Sequence, residues 1–205
     1  MPLCKPIKCL LIATTNAKKI QEFQALFSDL PIELAHLKAF RNLREVDEAG
    51  KTFEENAALK ALSYAEQTHM LTLAEDSGLS CDALEGAPGV YSARFAGEGK
   101  SDDENNRKLL KLLEKVPDNC RGAHYTSAIA LAEPGRLIGV VSGEVHGFIA
   151  PALTGTGGFG YDPLFFYPEY RRTFGEVPAD MKHKVSHRAK AFAKVKHLLK
   201  EHFKF

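Results

Sequence analysis

Residues 71–84 have the sequence LTLAEDSGLSCDAL, in which an apolar run meets two adjacent acids, Glu75 and Asp76, and is followed by Ser77-Gly78. The apolar run is typical of a buried strand, and Ser-Gly is a turn signal. We therefore predict a strand that ends at Asp76. Because neighbouring side chains of a strand point to opposite faces, the two carboxylates cannot both face one core, and one is expected to face a cleft.

The other segments up to residue 115 predict a strand followed by helices. Residues 7–13 (IKCLLIA) form the continuous apolar run of a strand covered on both faces, and helical spacing follows it at Ile20, Phe23, Leu26, Phe27 and Leu30. Thr52–Glu55 and Ser101–Glu104 match a capping box, which predicts helices over about residues 53–69 and 102–115. The strand predicted above lies between these two helices.

The second half of the chain predicts a hairpin and a long final helix. YTSAIALAE (125–133) and RLIGVVSGEV (136–145) are β-rich runs joined at Pro134-Gly135, as in an antiparallel hairpin. From Ser186 to about Phe203, apolar residues recur on one side of a helix, at Ala189, Phe192, Val195, Leu198 and Leu199. Strands alternating with helices, together with a hairpin, predict an α/β protein with a mixed sheet.

Composition predicts one globular domain, which could be divided into lobes. The 205 residues are 44% hydrophobic and 26% charged, enough for one substantial core. The 27 basic and 26 acidic residues leave a formal charge of +1, so binding to a polyanion must come from local clusters of charge rather than from a global field. Histone-like and coat proteins are excluded on this ground.

The cysteines and the hydropathy pattern predict a cytoplasmic protein. The cysteines lack C-x-x-C spacing, which argues against a zinc ribbon or a disulfide scaffold and for reduced thiols, at Cys4, Cys9, Cys81 and Cys120. The apolar run near the N-terminus is too short for a signal-peptide core or a membrane span. We therefore expect a soluble protein that is not exported and has no membrane partner.

A glycine-rich segment, GTGGFG at residues 155–160, matches a dinucleotide-binding fingerprint by letter only. That fingerprint needs a helix directly after the glycines, whereas Pro163 and Pro168 follow here. What remains is a glycine turn that ends in Phe159–Asp162. An aromatic face, backbone amides and a carboxylate can stack on a planar ring and bond its edge. The alternative is a loop with a structural role only.

Two basic clusters stand beside predicted helix starts. Lys18 and Lys19 follow the first strand, and a second cluster comprises Lys182, Lys184, His187 and Arg188. Free amides and the helix dipole at an N-terminus favour phosphate. By position alone a solvated basic end is an equally good interpretation of the second cluster, but two such clusters in one chain make a polyphosphate ligand more plausible. His183 and His187 have the spacing of a zinc site, but they straddle the predicted cap Ser186, which argues against a shared helical face.

Acidic residues suggest a magnesium site. They cluster before the first capping box, within it and at the end of the strand described above: Glu45, Asp47, Glu48, Glu54, Glu55, Glu75 and Asp76. A few carboxylates, completed by water and phosphate oxygens, are the usual magnesium ligands. Taken one at a time, each acid could instead be a surface charge or a helix cap.

Five stretches in order resemble the motifs of the inosine triphosphate pyrophosphatase family: ATTNAKKIQEF (13–23), EAGKTFEENAALKA (48–61), AEDSGLSCDALEGAPGVYSARFAG (74–97), GTGGFGYDPLFF (155–166) and VSHRAKA (185–191). The resemblance implies one domain over residues 1–205, with an elongated, twisted mixed sheet flanked by helices and two lobes around a nucleotide-binding cleft. It also implies Mg²⁺, a homodimer, and conversion of ITP, dITP or XTP to the monophosphate and pyrophosphate, which cleanses the nucleotide pool.

The resemblance also implies roles for individual residues. Asp76 is expected to be the general base and a metal ligand, and Glu48 a second metal ligand. The substrate contacts are expected to be Thr14, Thr15, Asn16, Ala17, Lys18, Lys19, Lys60, Ser77, Phe159, Gly160, Tyr161, Asp162, Lys182, His187 and Arg188. Selectivity for a 6-keto purine would come from bonds that the amino group of adenine cannot form.

The chain departs from the family pattern at two positions. Thr15 stands where glycine is common, and Glu75 stands where a second aspartate is usual. The stretch from Glu176 to His183 is also less typical, so Lys182 is assigned by counting back from Ser186. Glu75 could be a metal ligand with a longer side chain than aspartate, or it could have no direct role in the reaction.

Two other functions remain as hypotheses. A nucleotide sensor without turnover would keep the glycine turn and the basic clusters but would not need Asp76 as a base. A nucleic-acid-binding module could use the basic final helix, but the near-neutral charge and the acids around the site argue against it.

Overall fold

The computed structural model describes residues 8–204; Ile7 of the first predicted strand, and Cys4, lie outside the described residues. The strands are β1 Lys8–Ile12, β2 Ile32–His36, β3 Thr72–Cys81, β4 Gly122–Glu133, β5 Arg136–Ile149, β6 Phe165–Tyr167 and β7 Arg172–Thr173. The helices are α1 Ala17–Phe27, α2 Phe53–Thr68, α3 Asp102–Leu112, α4 Ala179–Val185 and α5 His187–Phe203.

The strands form one twisted sheet, which across residues 8–204 has the order β2-β1-β3-β4-β5-β6-β7. β1 runs parallel to both β2 and β3, whereas β6 is antiparallel to β5 and β7. β4 and β5 are neighbours joined by only Pro134-Gly135, a connection that fits only an antiparallel pair. The predicted mixed α/β fold and the hairpin are therefore confirmed.

The chain divides into two compact units. The first comprises the chain up to Asp76, Ala128–Ser142 and the chain from Ala191; the second comprises Ser77–Ser127 and Gly143–Lys190. The first core packs α1 and α5 on β1, with Phe27 and Phe192 edge to face at 4.6 Å between ring centroids. The second core is rich in aromatic residues, among them Tyr125, Phe165 and Phe174. The nucleotide cleft implied by the resemblance stays a prediction.

β3 does not end at Asp76, so the prediction of a turn at Ser77-Gly78 is wrong. The strand continues to Cys81, and Gly78 does not adopt a positive φ. The physical reason is that Leu79 and Cys81 are fully buried apolar residues of the second core. Burying their apolar surface stabilises the extended strand over a turn. The two acids consequently lie in the middle of a strand rather than at its end.

The predicted helices are present, but α1 ends at Phe27, before Leu30, and α3 ends at Leu112 rather than near residue 115. Ser101 and Glu104 form the complete capping box, whereas at α2 the Thr52 side chain accepts from the Glu55 amide but Glu55 accepts from the Lys51 amide. The short α4 was not predicted, because its seven residues are too few to establish a period.

The thiol and hydropathy predictions can be checked over residues 8–204. Cys9, Cys81 and Cys120 are free, as predicted, while Cys4 lies outside the described part of the chain. Burial, with a smaller effect of the Asp82 charge, raises the pKa of Cys81 to about 12. No helix in the described part of the chain is both long and apolar enough to cross a membrane.

Candidate active site

Three predicted site residues of the first unit meet at one ammonium group. Lys60 Nζ lies 3.0 Å from Asp76 Oδ1 and 3.2 Å from Glu48 Oε1. Asn56, one turn earlier on α2, donates from Nδ2 to Asp76 Oδ2 at 3.2 Å. Because residues four apart share a helix face, α2 presents both an amide and an ammonium to the carboxylate of Asp76. Asp76 is buried with both oxygens bonded.

Glu48 lies in an extended segment, residues 44–51, which α2 holds at both ends. Gln67 accepts from the Arg44 amide at 2.7 Å, and Asn56 Oδ1 accepts from the Gly50 amide at 2.8 Å. Burial, followed by the charge of Glu45, raises the pKa of Tyr64, which also lies on α2. The segment has no regular structure of its own. Of its two contacts with α2, the one between Gly50 and Asn56 is nearer to Glu48 in sequence than the one at Arg44.

Glu75 pairs with a different helix from its neighbour. Its Oε2 lies 3.2 Å from Lys19 Nζ of α1, and its side chain is wholly inaccessible to solvent. Asp76 pairs with Lys60 of α2, so the expectation that the two acids cannot share one face is confirmed. The structure thus gives Glu75 a defined contact: it holds the ammonium of Lys19, a predicted phosphate-binding residue.

The turn between β1 and α1 presents exposed polar groups. Asn16 is the N-cap of α1, and its side chain accepts from the amides of Lys18 and Lys19 at 3.0 and 3.2 Å. Thr14 Oγ1 accepts from the Asn16 amide. Thr15, Asn16, Ala17 and Lys18 are exposed, so this turn is open to a ligand, as a phosphate-binding turn must be.

The donor set of the first unit fits a magnesium ion that is completed by a substrate. Within residues 8–204 no group of three or more His, Cys, Asp or Glu side chains could hold a metal by itself. Magnesium in nucleotide enzymes needs fewer, because one or two carboxylates, water and phosphate oxygens fill its octahedron. Glu48 and Asp76 supply two carboxylates that already share one cationic neighbour.

The second unit contains the other predicted cluster, built on a buried ion pair. Lys182 Nζ of α4 lies 2.6 Å from Asp162 Oδ2, and both side chains are almost inaccessible. The same carboxylate oxygen accepts from the Phe159 amide at 2.8 Å. Lys182 Nζ also lies over the Phe159 ring, 4.9 Å from its centroid, and the Arg188 guanidinium is 5.7 Å from that centroid. Two cations therefore lie close to the ring.

The segment Phe159–Asp162 is fixed mainly by hydrogen bonds to residues outside it. Asp102 accepts from the Gly160 amide at 2.7 Å, and Asn106 donates to the Gly160 carbonyl at 2.9 Å. The hydroxyl of Tyr161 donates to the Ser92 carbonyl. With the Phe159 amide on Asp162 and the Asp162 amide on the Phe159 carbonyl as well, three backbone amides that were expected to be open to a ligand are occupied, while the Phe159 ring is half-buried.

The remaining basic residues are mostly buried. His187 stacks on Tyr125 with 4.7 Å between centroids, and Arg188 donates to Ser77 Oγ at 3.3 Å. Lys182, His187 and Arg188 are all buried, and of the four only Lys184 is exposed, so the alternative of a solvated basic surface is wrong for three of them. His183 and His187 lie on separate helices, as the cap at Ser186 predicted.

Three polar residues around the clusters were missed: Asn56, Asp102 and Asn106. Asp102 and Asn106 lie four apart on α3, directly after the capping box, and Asn56 lies four before Lys60. That spacing was visible in the sequence. Their partners were not, because Gly160 and Asp76 are remote in sequence from them.

We predict that Asp102→Ala speeds amide exchange in residues 158–162 by about 10- to 100-fold, because a hydrogen bond to a charged acceptor contributes roughly 1.5–3 kcal/mol. Hydrogen–deuterium exchange followed by mass spectrometry measures it. Asp103→Ala, which removes the neighbouring exposed acid of the same helix turn, is the matched control. Equal exchange in both variants and the wild type would show that α3 does not hold the segment.

The fold and the first cluster define a mixed α/β protein with a site of carboxylates and a lysine where α2 meets strand β3. Residues 10–198 match the Ham1 family, and the chain belongs to that family. It is 49% identical over 190 residues to a dITP/XTP pyrophosphatase of Desulforamulus reducens, covering 93% of this chain and 94% of that one. It is 50% identical over 193 residues to a dITP/XTP pyrophosphatase of Geobacter sulfurreducens, with 94% and 95% covered.

Solved structures agree with this assignment. A HAM1 protein from Coxiella burnetii superposes with a TM-score of 0.87 at 37% identity, covering 95% of this chain and 100% of that one. A nucleoside-triphosphatase described as a dITP/XTP pyrophosphatase, from Mycobacterium abscessus, gives 0.74 at 39% identity, with 91% and 97% covered. The family resemblance drawn from the motifs is confirmed.

Proposed function

We propose that this protein hydrolyses noncanonical purine nucleoside triphosphates (ITP, dITP and XTP) to the monophosphate and pyrophosphate, and so removes them before they enter DNA or RNA. The relatives named as dITP/XTP pyrophosphatases support the reaction and the substrate class. The observation that carries the proposal is the contact of Asp76 and Glu48 with the single ammonium of Lys60. Acids and a lysine held together suit a metal-bound polyphosphate.

Glu48 and Asp76 would hold the magnesium ion. When bound, magnesium offsets the negative charge that develops on the phosphate oxygens. Lys60 already contacts both carboxylates, so its ammonium lies where it would also stabilise negative charge on the phosphate oxygens. Lys19, held by Glu75 at the start of α1, and the exposed turn at Asn16 would bind the rest of the triphosphate.

Asp76 is the proposed general base. Its carboxylate takes a proton from a water molecule as the water oxygen bonds to phosphorus and the bridging P–O bond breaks. The leaving group departs with the bond electrons, which gives monophosphate and pyrophosphate. Attack on either phosphorus beside the scissile oxygen gives these products.

The cluster of the second unit is proposed to bind the base. The half-buried ring of Phe159 would stack on the purine, and cations beside the ring stabilise its position. Ser77, His187 and Arg188 would supply polar contacts, and Asp162 would act by holding Lys182 and the Phe159 amide. Donors that need the 6-keto oxygen as a partner lose it with adenine, which is how a site of this kind rejects an analogue.

The purified protein is expected to release pyrophosphate from ITP and XTP at least about tenfold faster than from ATP, since the missing 6-keto oxygen leaves a polar group of the site without its partner. Slower release from GTP, which keeps that oxygen, is expected from the family resemblance alone. Assaying each triphosphate after removal of divalent metal, and again after adding back Mg²⁺, tests base and metal dependence together. Equal rates on all four bases, or full activity without divalent metal, would contradict the proposal.

Two further parts of the proposal are the homodimer and the cytoplasmic location implied by the family resemblance and the reduced thiols. Sedimentation velocity at micromolar concentration tests the first, and cell fractionation tests the second. A monomer at that concentration, or recovery outside the cytoplasm, would overturn the corresponding part and leave the reaction standing.

A further inference from the structure

Asn56, like Lys60, contacts both the strand of Asp76 and the segment of Glu48. It is 1% exposed. Its Nδ2 donates to Asp76 Oδ2 at 3.2 Å, and its Oδ1 accepts from the Gly50 amide at 2.8 Å. One carboxamide therefore joins β3, which carries Asp76, to the extended segment that carries Glu48.

The contact with Gly50 is a close backbone approach. A Cβ at Gly50 would lie 2.6 Å from Asn56 Oδ1 and 2.8 Å from Glu55 Cβ, closer than real contacts of this kind. Gly50 thus allows the segment to come near enough to α2 for its amide to donate to Asn56. The hydrogen bond from Gly50 to Asn56 therefore fixes the backbone two residues after Glu48.

The chemistry of a carboxamide matches both tasks. An amide side chain offers donors on one side and an acceptor on the other, and here the donor faces a carboxylate and the acceptor faces an N–H. An aspartate would lack the donor, and an aliphatic residue would lack both groups. Lys60 satisfies the other oxygen of Asp76, so the orientation of that carboxylate is set by two groups one helical turn apart.

We propose that Asn56 is a positioning residue that sets the relative placement of the two magnesium ligands, Asp76 and Glu48. The inference rests on the proposed function for the identity of the metal, but its contacts do not. Polar groups that orient metal ligands typically change metal affinity about 10- to 100-fold when removed. Asn56 acts through these ligands, by its hydrogen bond to Asp76 and by its hydrogen bond from the Gly50 amide, two residues after Glu48.

The test uses Asn56→Leu, which keeps the branched shape of the side chain without its polar atoms, and Asn56→Ala, which removes the branch. Free Mn²⁺ measured by electron paramagnetic resonance gives metal affinity without turnover, and Asp76→Asn gives the background. We expect Mn²⁺ to bind about 10- to 100-fold more weakly to both variants. The Mg²⁺ concentration for half-maximal ITP turnover should rise in parallel, while KM for ITP at saturating Mg²⁺ stays within about twofold of the wild-type value.

Gln67→Ala is the matched control, because Gln67 holds the other end of the same segment, at Arg44, without contacting Asp76. It should leave Mn²⁺ affinity within about twofold of the wild type, as expected for a surface contact remote from the ligands. Thermal unfolding of all variants shows whether they are folded, and the proposal is judged on whichever Asn56 variant remains folded.

The outcomes separate this inference from the proposed function. Wild-type affinity for Mn²⁺ in a folded Asn56 variant, an equal loss in Gln67→Ala, or no Mn²⁺ binding by the wild type would overturn the positioning role. Weakened Mn²⁺ binding in a wild-type protein that does not hydrolyse ITP would uphold the positioning role and sink the proposed function alone.

Discussion

Asp76→Asn is expected to lower kcat for ITP by about 10²- to 10⁴-fold, the usual contribution of a general base. Asparagine keeps the size of the side chain but has a single acceptor oxygen, so it can accept from only one of Lys60 and Asn56, which contact Asp76 at 3.0 and 3.2 Å; losing the other hydrogen bond costs about 1 kcal/mol of stability. It cannot accept the proton of the attacking water, and it is a weaker magnesium ligand. The loss should therefore fall mainly on catalysis rather than on folding.

Steady-state release of pyrophosphate from ITP, at several Mg²⁺ concentrations, measures this effect. Asp47→Asn is the control, because Asp47 is an exposed acid next to the proposed ligand Glu48 and should retain wild-type kinetics. A sensor without turnover would keep its function in Asp76→Asn. Activity within a few-fold of the wild type would remove Asp76 from the role of base.

Lys182→Met is expected to reduce the free energy of unfolding by about 3–5 kcal/mol, the usual cost of leaving one partner of a buried ion pair without the other. The pair with Asp162 is 2.6 Å long, with side-chain exposures of 4% and 2%. Water cannot solvate the remaining carboxylate in such surroundings. The loss should also release the Phe159 amide from a well-placed acceptor.

Urea unfolding of Lys182→Met, of Asp162→Asn and of the double variant measures this loss of stability. Adding Asp162→Asn to Lys182→Met should restore part of the lost stability, because no buried charge then stands alone. Lys184→Met, on the same helix but exposed, should change the unfolding free energy by less than about 0.5 kcal/mol. Additive losses in the double variant, or equal effects of the two lysine variants, would contradict the assigned pair.

The sequence predicted the elements that carry a strong local signal. The hairpin at Pro134-Gly135 and the helix from His187 follow from turn residues and apolar spacing, and both are present. The rule that adjacent strand residues face opposite ways separated Glu75 from Asp76 before any contact was known, and their pairing with Lys19 and Lys60 agrees with it.

Other features depend on parts of the chain that are distant in sequence. Ser77-Gly78 has the composition of a turn, but burial of Leu79 and Cys81 keeps the strand extended, and tertiary packing overrides local preference. Asn56 and Asp102 looked like ordinary polar residues of a first helical turn. Their importance comes from Asp76 and Gly160, which lie 20 and 58 residues away in sequence.

The most direct test of the account is the identity of the products formed by the wild-type protein from ITP and Mg²⁺. Separating the nucleotides by ion-exchange chromatography, with parallel assays for pyrophosphate and orthophosphate, gives the answer in one experiment. The account predicts inosine monophosphate and pyrophosphate in equal amounts. Inosine diphosphate with orthophosphate, or no product at all, would contradict it.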